Sequence, residues 1–326
     1  MAARRRTSER DQLELFRSRP GDMATRDSQD LMAYPFFSLA KSKRIEPIRF
    51  EAGNVRIHVE APAEFGLATI WDADILIWAA SQIVEARDLG LRTSRLMATT
   101  PYEILTFVGR GTSVRDYQRL KAALDRLQAT TVATSIRQPS ERRRHRFSWI
   151  NEWKERLDTK GRPLGIELIV PDWFYEGVLD NALIITIDRN YFELLGGIER
   201  WLYRLVRKHG GRQAGGWSFD FRHLHAKSGS LSRFSNFACD LRDIVRRQPL
   251  PGYRLRIDRL DDGRERLAFT PAASRPSTHS QGAVQSCETS RAIKGNLPRA
   301  IEGATVVLSK ARSCVKQLRR SANSRP

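Results

Sequence analysis

The sequence is poor in residues that build covalent or metal frameworks. Its three cysteines, Cys239, Cys287 and Cys314, offer no disulfide framework and no paired spacing for zinc, which points to a reducing, cytoplasmic setting. No uninterrupted apolar run approaches the roughly 20 residues of a membrane span, and the Arg-rich N-terminus lacks a following apolar signal core, so no membrane partner is expected. A GxxxxGK(S/T) phosphate loop is absent, as is a GxSxG elbow, which removes ATP hydrolysis by the first route and serine chemistry by the second. No cofactor is implied, and the chain is expected not to be an enzyme.

Acidic residues are also scarce, at 37 against 56 Lys and Arg, leaving a formal charge of +19 on 326 residues. From Pro271 onward ten basic residues meet only two acidic ones, so the tail carries +8 and the rest of the chain +11. The basic character therefore belongs to the folded part as well. Such a charge favours a polyanion, and no strongly apolar amphipathic anchor directs it to a membrane surface, so nucleic acid is the expected partner.

What is present centres on Thr112 to Leu127, TSVRDYQRLKAALDRL. Val114, Tyr117, Leu120, Leu124 and Leu127 recur at three- and four-residue steps, the stripe of an amphipathic helix, while Arg115, Arg119 and Arg126 occupy the other face. Thr112 or Ser113 caps the start, after a tight turn at Gly109 to Gly111. A shift of 117 residues repeats the apolar pattern: Tyr102 with Phe219, Ile104 with Phe221, Phe107 with Leu224 and Val114 with Leu231. Tyr117 then meets Phe234, Leu120 meets Phe237, Leu124 meets Leu241 and Leu127 meets Ile244. One unit is used twice.

Each copy reads as a short helix, a turn and a longer basic helix followed by a hairpin, the winged-helix pattern. The fold class is α+β: two tandem winged-helix domains with a disordered basic C-terminal tail. The expected layout is a flexible basic arm over 1–29, an N-terminal winged-helix domain over 30–160, a C-terminal one over 161–270 and the tail over 271–326. After the arm, extended chain from Asp30 leads past Pro35 into strands near Ile48 to Phe50 and Asn54 to Val59. Ala68 to Arg87 is a buried helix with Asp72 and Asp74 near its start. A short helix begins at Thr100 and Pro101. Thr130 to Arg137 and Phe147 to Trp153 form the first wing. Strands follow at Ile166 to Val170 and Ala182 to Ile187. A long helix runs from about Tyr191 to Gly210 and Gly211, and Gly196 and Gly197 weaken its start. The second unit has a helix from about Phe219, a turn at Lys227 to Gly229, a helix over Leu231 to Arg246 and a hairpin over Tyr253 to Asp258 and Glu265 to Phe269, turning at Asp262 and Gly263.

The candidate DNA contacts follow from this layout. Ser113, Arg115 and Arg119 stand near the start of the first recognition helix, where base edges are met, and are better placed than Arg126. Ser232, Arg233 and Asn236 hold the matching place in the second. Arg142, Arg143, Arg144 and Arg146 at the first wing, with Arg254, Arg256 and Arg264 at the second, suit phosphates. In the arm, Arg4, Arg5 and Arg6 are within the chemistry of phosphate contact, but a solvated tail is the better reading.

A different function is suggested by His223-Leu224-His225, which resembles the metal-binding pair of rolling-circle nickases, with Tyr253 downstream as a nucleophile. The duplication places both histidines on a helix, where residues two apart diverge by about 200°, so joint ligation of a metal is not expected. A transcriptional repressor without initiator activity is the other alternative.

Three segments carry a family resemblance: DLMAYPFFSLAKSKR at Asp30 to Arg44, GLATIWDADILIWAASQI at Gly66 to Ile83, and GIERWLYRLVRKHGG at Gly197 to Gly211. Over about 30–270 the chain resembles the replication initiator protein A family of plasmids and related mobile elements. The resemblance implies a plasmid initiator that binds repeated origin sites in double-stranded DNA, promotes duplex opening and recruits host replication initiation proteins and helicase. By analogy of fold it also brings a homodimer that represses its own gene. The Gly66 to Asp88 segment is as suited to packing across subunits as within one.

Overall fold

The computed structural model describes residues 8–138, 145–211, 213 and 215–272. The arm expected to be mobile is part of the fold from residue 8 onward. Strand β1 (Leu15–Arg17) buries Phe16 and lies parallel to a later strand, while β2 (Arg26–Ser28) carries Asp27 into the interior. Asp27 accepts two hydrogen bonds from Arg204, at 2.7 and 2.9 Å, with both side chains fully buried. Charge made the arm look solvated, and paired charge is what holds it inside. Arg4, Arg5 and Arg6 lie outside the described residues.

A short helix, α1 (Gln29–Ala33), replaces the extended chain expected from Asp30 and ends before Pro35, whose ring disfavours helix in the residue ahead of it. Phe36 and Phe37 then pack on Trp149, with ring centroids 5.4 and 5.0 Å away. Strands β3 (Ile48–Ala52) and β4 (Val55–Glu60) form an antiparallel hairpin where strands were expected. Helix α2 (Ala73–Asp88) is buried on nearly every side within this one chain, which is why its sequence is apolar all round. It begins five residues later than its apolar run suggests, because 68–72 are spent bonding to other segments: the Ala68 carbonyl accepts from Ser38, and the Ile70 amide donates to the Ser38 carbonyl.

Strand β5 (Leu96–Thr99) leads to α3 (Pro101–Phe107), whose start is a reciprocal cap. The Thr100 hydroxyl accepts from the Glu103 amide (3.2 Å) and the Glu103 carboxylate accepts from the Thr100 amide (3.0 Å). Helix α4 (Val114–Ala129) follows, then β6 (Thr131–Thr134), β7 (His145–Ser148), β8 (Glu152–Leu157) and β9 (Pro163–Ile169). Helix α5 (Asp172–Leu179) contains the aromatic segment, and β10 (Ile184–Thr186) pairs with β2. Helix α6 (Gly197–Gly210) starts six residues later than expected, since 189–193 form a separate 3-10 turn. Strand β11 (Trp217–Asp220), α7 (Phe221–Ser228), α8 (Phe234–Arg247), β12 (Tyr253–Arg259) and β13 (Glu265–Pro271) complete the described chain.

The repeat extends beyond its two short helices. The order α2, β5, α3, α4, β8, β9 recurs as α6, β11, α7, α8, β12, β13. In both copies the hairpin adds to the strand before the short helix in the same way: β5 pairs β9, which pairs β8, and β11 pairs β13, which pairs β12. This corrects the first wing. The hairpin at 130–153 is β6 with β7, and its β6 edge is taken by β4, so that β3, β4, β6 and β7 make a separate sheet. The counterpart of the second hairpin is β8 with β9. Its turn spans the boundary expected at 160, and a continuous apolar core runs through both copies. The expected tail from 273 onward lies outside the described residues.

Candidate nucleic-acid interface

Helix α4 packs Leu120, Ala123, Leu124 and Leu127 inward. At roughly 100° per residue the opposite side is centred on Gln118, flanked by Val114 and Arg115. Val114 was expected in the apolar seam and is instead 74% exposed. Ser113 is the helix cap: its hydroxyl accepts from the Asp116 amide (3.4 Å) and donates to the Asp116 carboxylate (2.7 Å), which also accepts from the Ser113 amide (3.2 Å). These bonds from Ser113 hold the Asp116 carboxyl below its usual range. Arg119 reaches Asp116 only at 3.4 Å and stays exposed, and Arg115 is exposed with no side-chain partner among the described residues.

Arg126, by contrast, is a structural residue. It donates to both oxygens of the buried Asp72 carboxylate, at 2.8 and 2.7 Å, and so clamps α4 to the start of α2. Asp74 makes the matching tie: it accepts from Arg200 of α6 at 2.8 and 2.9 Å and from Arg110, in the turn before α4, at 2.8 Å. The two carboxylates near the start of α2 thus orient one copy against the other and fix the approach to α4.

In the second copy α8 buries Phe237, Ala238, Leu241 and Ile244 and turns Ser235, Asn236 and Cys239 outward. It starts three residues later than expected, so Ser232 lies in the loop ahead of it and Arg233 at its N-cap. Asn236 and Arg233 are exposed without side-chain partners among the described residues. His225 donates from Nε2 to the Ser232 carbonyl (2.7 Å), and this bond fixes the loop between α7 and α8. His223 stacks on Phe219, with centroids 5.7 Å apart, so the two histidines serve different contacts. Tyr253 is buried beneath Tyr203.

The hairpins differ in how free their cations are. On β12 Arg256 is held by Asp258 (2.6 Å) and in the turn before β13 Arg264 by Asp262 (2.6 Å), whereas Arg254 and Arg266 are exposed without an ion pair among the described residues. Arg254 and Arg256 line a cleft of about 760 Å³ with the half-exposed Trp217. Arg146, on β7, pairs with Glu60; Arg142, Arg143 and Arg144 lie outside the described residues. Across β8 and β9, Lys154 and Arg156 pair with Glu167 and Arg162 with Asp158, while Lys160 at the turn stays free among the described residues.

A basic loop that composition alone did not single out joins the two helix starts. Lys41 and Lys43, with Arg110, Arg119 and Arg126, line a cleft of about 680 Å³ beside the beginning of α4. On its other side the same loop, through Ser42 and Lys43, lines a smaller cavity of about 240 Å³ with Ser230, Leu231 and Ser232 ahead of α8. The loop is anchored by the Arg44 guanidinium donating to the Gly229 carbonyl (2.6 Å) and by the Leu67 amide donating to the Arg44 carbonyl (2.8 Å). Lys41 lies over the Trp71 ring at 5.6 Å, and Lys43 donates to the Glu64 carbonyl at 2.7 Å, and neither is paired with a carboxylate among the described residues. Arg119 on one side and Ser232 on the other thereby flank one cationic loop. Among the described residues no helix is long and apolar enough to cross a membrane.

Three likenesses bear on this arrangement. The sequence pattern of the family Replication initiator protein A matches residues 26–255. A predicted replication protein of Wigglesworthia glossinidia brevipalpis is 33% identical over 235 residues, covering 71% of this chain and 84% of that protein. Crystal structures of domains 2 and 3 of RctB superpose with a TM-score of 0.55 over 74% of this chain and 98% of that one, and with 0.50 over 76% and 97%. At 14% identity the likeness to RctB is one of fold.

Proposed function

The chain belongs to the replication initiator protein A family, and from that premise we propose that it initiates replication by sequence-specific binding of repeated sites in double-stranded origin DNA. Each copy acts as a winged helix: α4 and α8 enter successive major grooves, and the hairpins β8–β9 and β12–β13 hold register on phosphates. The observation that carries this reading is the repeated unit with exposed, uncommitted polar groups near the start of its second helix in both copies, Arg115 and Gln118 on α4, Arg233 at the N-cap of α8 and Asn236 in its first turn. Arginine suits guanine and asparagine suits adenine in the major groove. Lys41 and Lys43, set between the two helix starts, meet the phosphates between the two grooves.

Binding two grooves through one packed body bends the duplex, and that deformation favours opening of an adjacent AT-rich segment. Host replication initiation proteins and helicase then take over the opened strand. The protein does no covalent chemistry in this scheme. The test is a titration of the full chain with an origin repeat against an unrelated duplex over a range of salt. Specific binding stronger by about a thousandfold or more, with a steep salt slope, is expected; equal affinity for both duplexes contradicts the reading.

A further inference from the structure

We infer that Val114 and Leu231 distinguish thymine by packing on its C5-methyl group, one residue in each of the two grooves. The inference rests on the DNA-reading assignment above and names a base that the two helices select.

The argument starts from the eight apolar positions that the repeat shares. In six of the pairs the side chains are buried or packed against the core in both copies: Ile104 and Phe221, Phe107 and Leu224, Tyr117 and Phe234, Leu120 and Phe237, Leu124 and Leu241, Leu127 and Ile244. In a seventh, Phe219 packs on the core and Tyr102 does not. Val114 and Leu231 form the one pair exposed in both, at 74% and 61%. A single exposed aliphatic residue is ordinary on a protein surface. The same aliphatic position left in water by both copies is not explained by packing, because neither copy packs it. Nor does helix propensity explain it, since valine is a middling helix former and Leu231 precedes the helix.

The surroundings specify the partner. Val114 opens α4 beside Arg115 and Gln118, and Leu231 lies between Ser230 and Ser232 in the loop leading to Arg233. Val114 stands among polar and cationic groups, and Leu231, although it shares a small cavity with Leu39, Ala40 and Ile198, has Ser230, Ser232, Lys43 and Arg44 around it, so each offers an aliphatic spot too small for an apolar protein partner. A DNA major groove offers the complementary arrangement: phosphates for the cations, base edges for the amides and hydroxyls, and the thymine methyl as its apolar group. Leu231 also lines the small cavity shared with Ser42 and Lys43, which sets its methyl contact next to a phosphate contact.

The experiment uses the full chain and a duplex that it selects from a randomised pool. Each thymine is replaced in turn by deoxyuridine, which removes only the methyl group. The wild type is expected to bind about three- to tenfold more weakly when one particular thymine in each half-site is replaced. Val114→Ser and Leu231→Ser leave no methyl group to set against thymine, and their exposure leaves folding intact, checked by an unchanged urea midpoint. Each variant should bind the thymine duplex as weakly as the wild type binds the matching uracil duplex, and should lose no more when its own thymine is replaced. If no uracil position weakens the wild type, or if a variant keeps the full uracil penalty, the assignment of that residue is overturned. Failure of the wild type to select any consensus overturns the DNA-reading assignment itself, and this inference with it.

Discussion

Arg115 and Arg126 lie on the same side of one helix, eleven residues apart, and have opposite fates. The Arg126 guanidinium neutralises a carboxylate that is only 3% exposed, so Arg126→Ala leaves Asp72 buried and uncompensated. A loss of about 2–4 kcal/mol is expected in urea unfolding, toward the lower end because the guanidinium itself is partly solvated. Arg115→Ala should leave stability within about 0.5 kcal/mol, weaken origin binding roughly tenfold and lower the salt slope by about 0.9. Equal effects of the two substitutions on both measurements would remove the distinction. His209, near the end of α6, gives a pH signature. Burial, then Lys208, Lys227 and His223, push its pKa from 6.5 down to about 4. Between those values the unfolded chain binds the proton and the folded chain does not, so stability present above pH 6.5 is lost as pH falls toward 4. The urea midpoint should drop between pH 7 and pH 5, and less so for His209→Phe, whose ring keeps the contact with Phe219.

Among the elements, the start of α6 shows why a glycine pair sits where a helix should be strong. A Cβ on Gly197 would stand 1.9 Å from the Leu39 carbonyl oxygen, so the helix can approach the basic loop only without a side chain there. Gly197→Ala should cost about 2–3 kcal/mol or more, because backbone must move, and should weaken DNA binding by displacing Lys41 and Lys43. An unchanged urea midpoint would show that the approach is not needed. The amphipathic stripes of α4 and α8 were legible in the sequence because helical periodicity is a local property. The first wing was not, since two consecutive hairpins follow α4 with the same alternation, and only the pairing of Leu96 with Ile169 tells them apart. Val114 was assigned to the seam by spacing alone, and its place one residue after the cap turns it outward. The Lys41 to Lys43 bridge and the Asp72 clamp were illegible for a shared reason: each depends on residues distant in sequence that meet only in the folded chain.

At the scale of the whole molecule the buried ionic ties hold α4 and the second copy in one arrangement. Asp27 with Arg204 fastens the N-terminal strand to α6, Asp74 with Arg200 and Arg110 fastens α2 to α6 and to the turn before α4, and Arg126 fastens α4 itself. In the proposed function, two helices held at fixed separation would address two grooves at once, which a pair of loosely linked domains does less selectively. Family membership supports initiation as the use of that binding, and a repressor would need the same binding without it. The most direct measurement is therefore maintenance of a plasmid that carries the origin repeats but not its own initiator gene, in cells that supply this chain separately. The wild type should sustain the plasmid, and the combined Arg115→Ala and Asn236→Ala variant, with an unchanged urea midpoint, should lose it. Failure of the wild type to sustain it, or equal maintenance by the variant, would contradict the account.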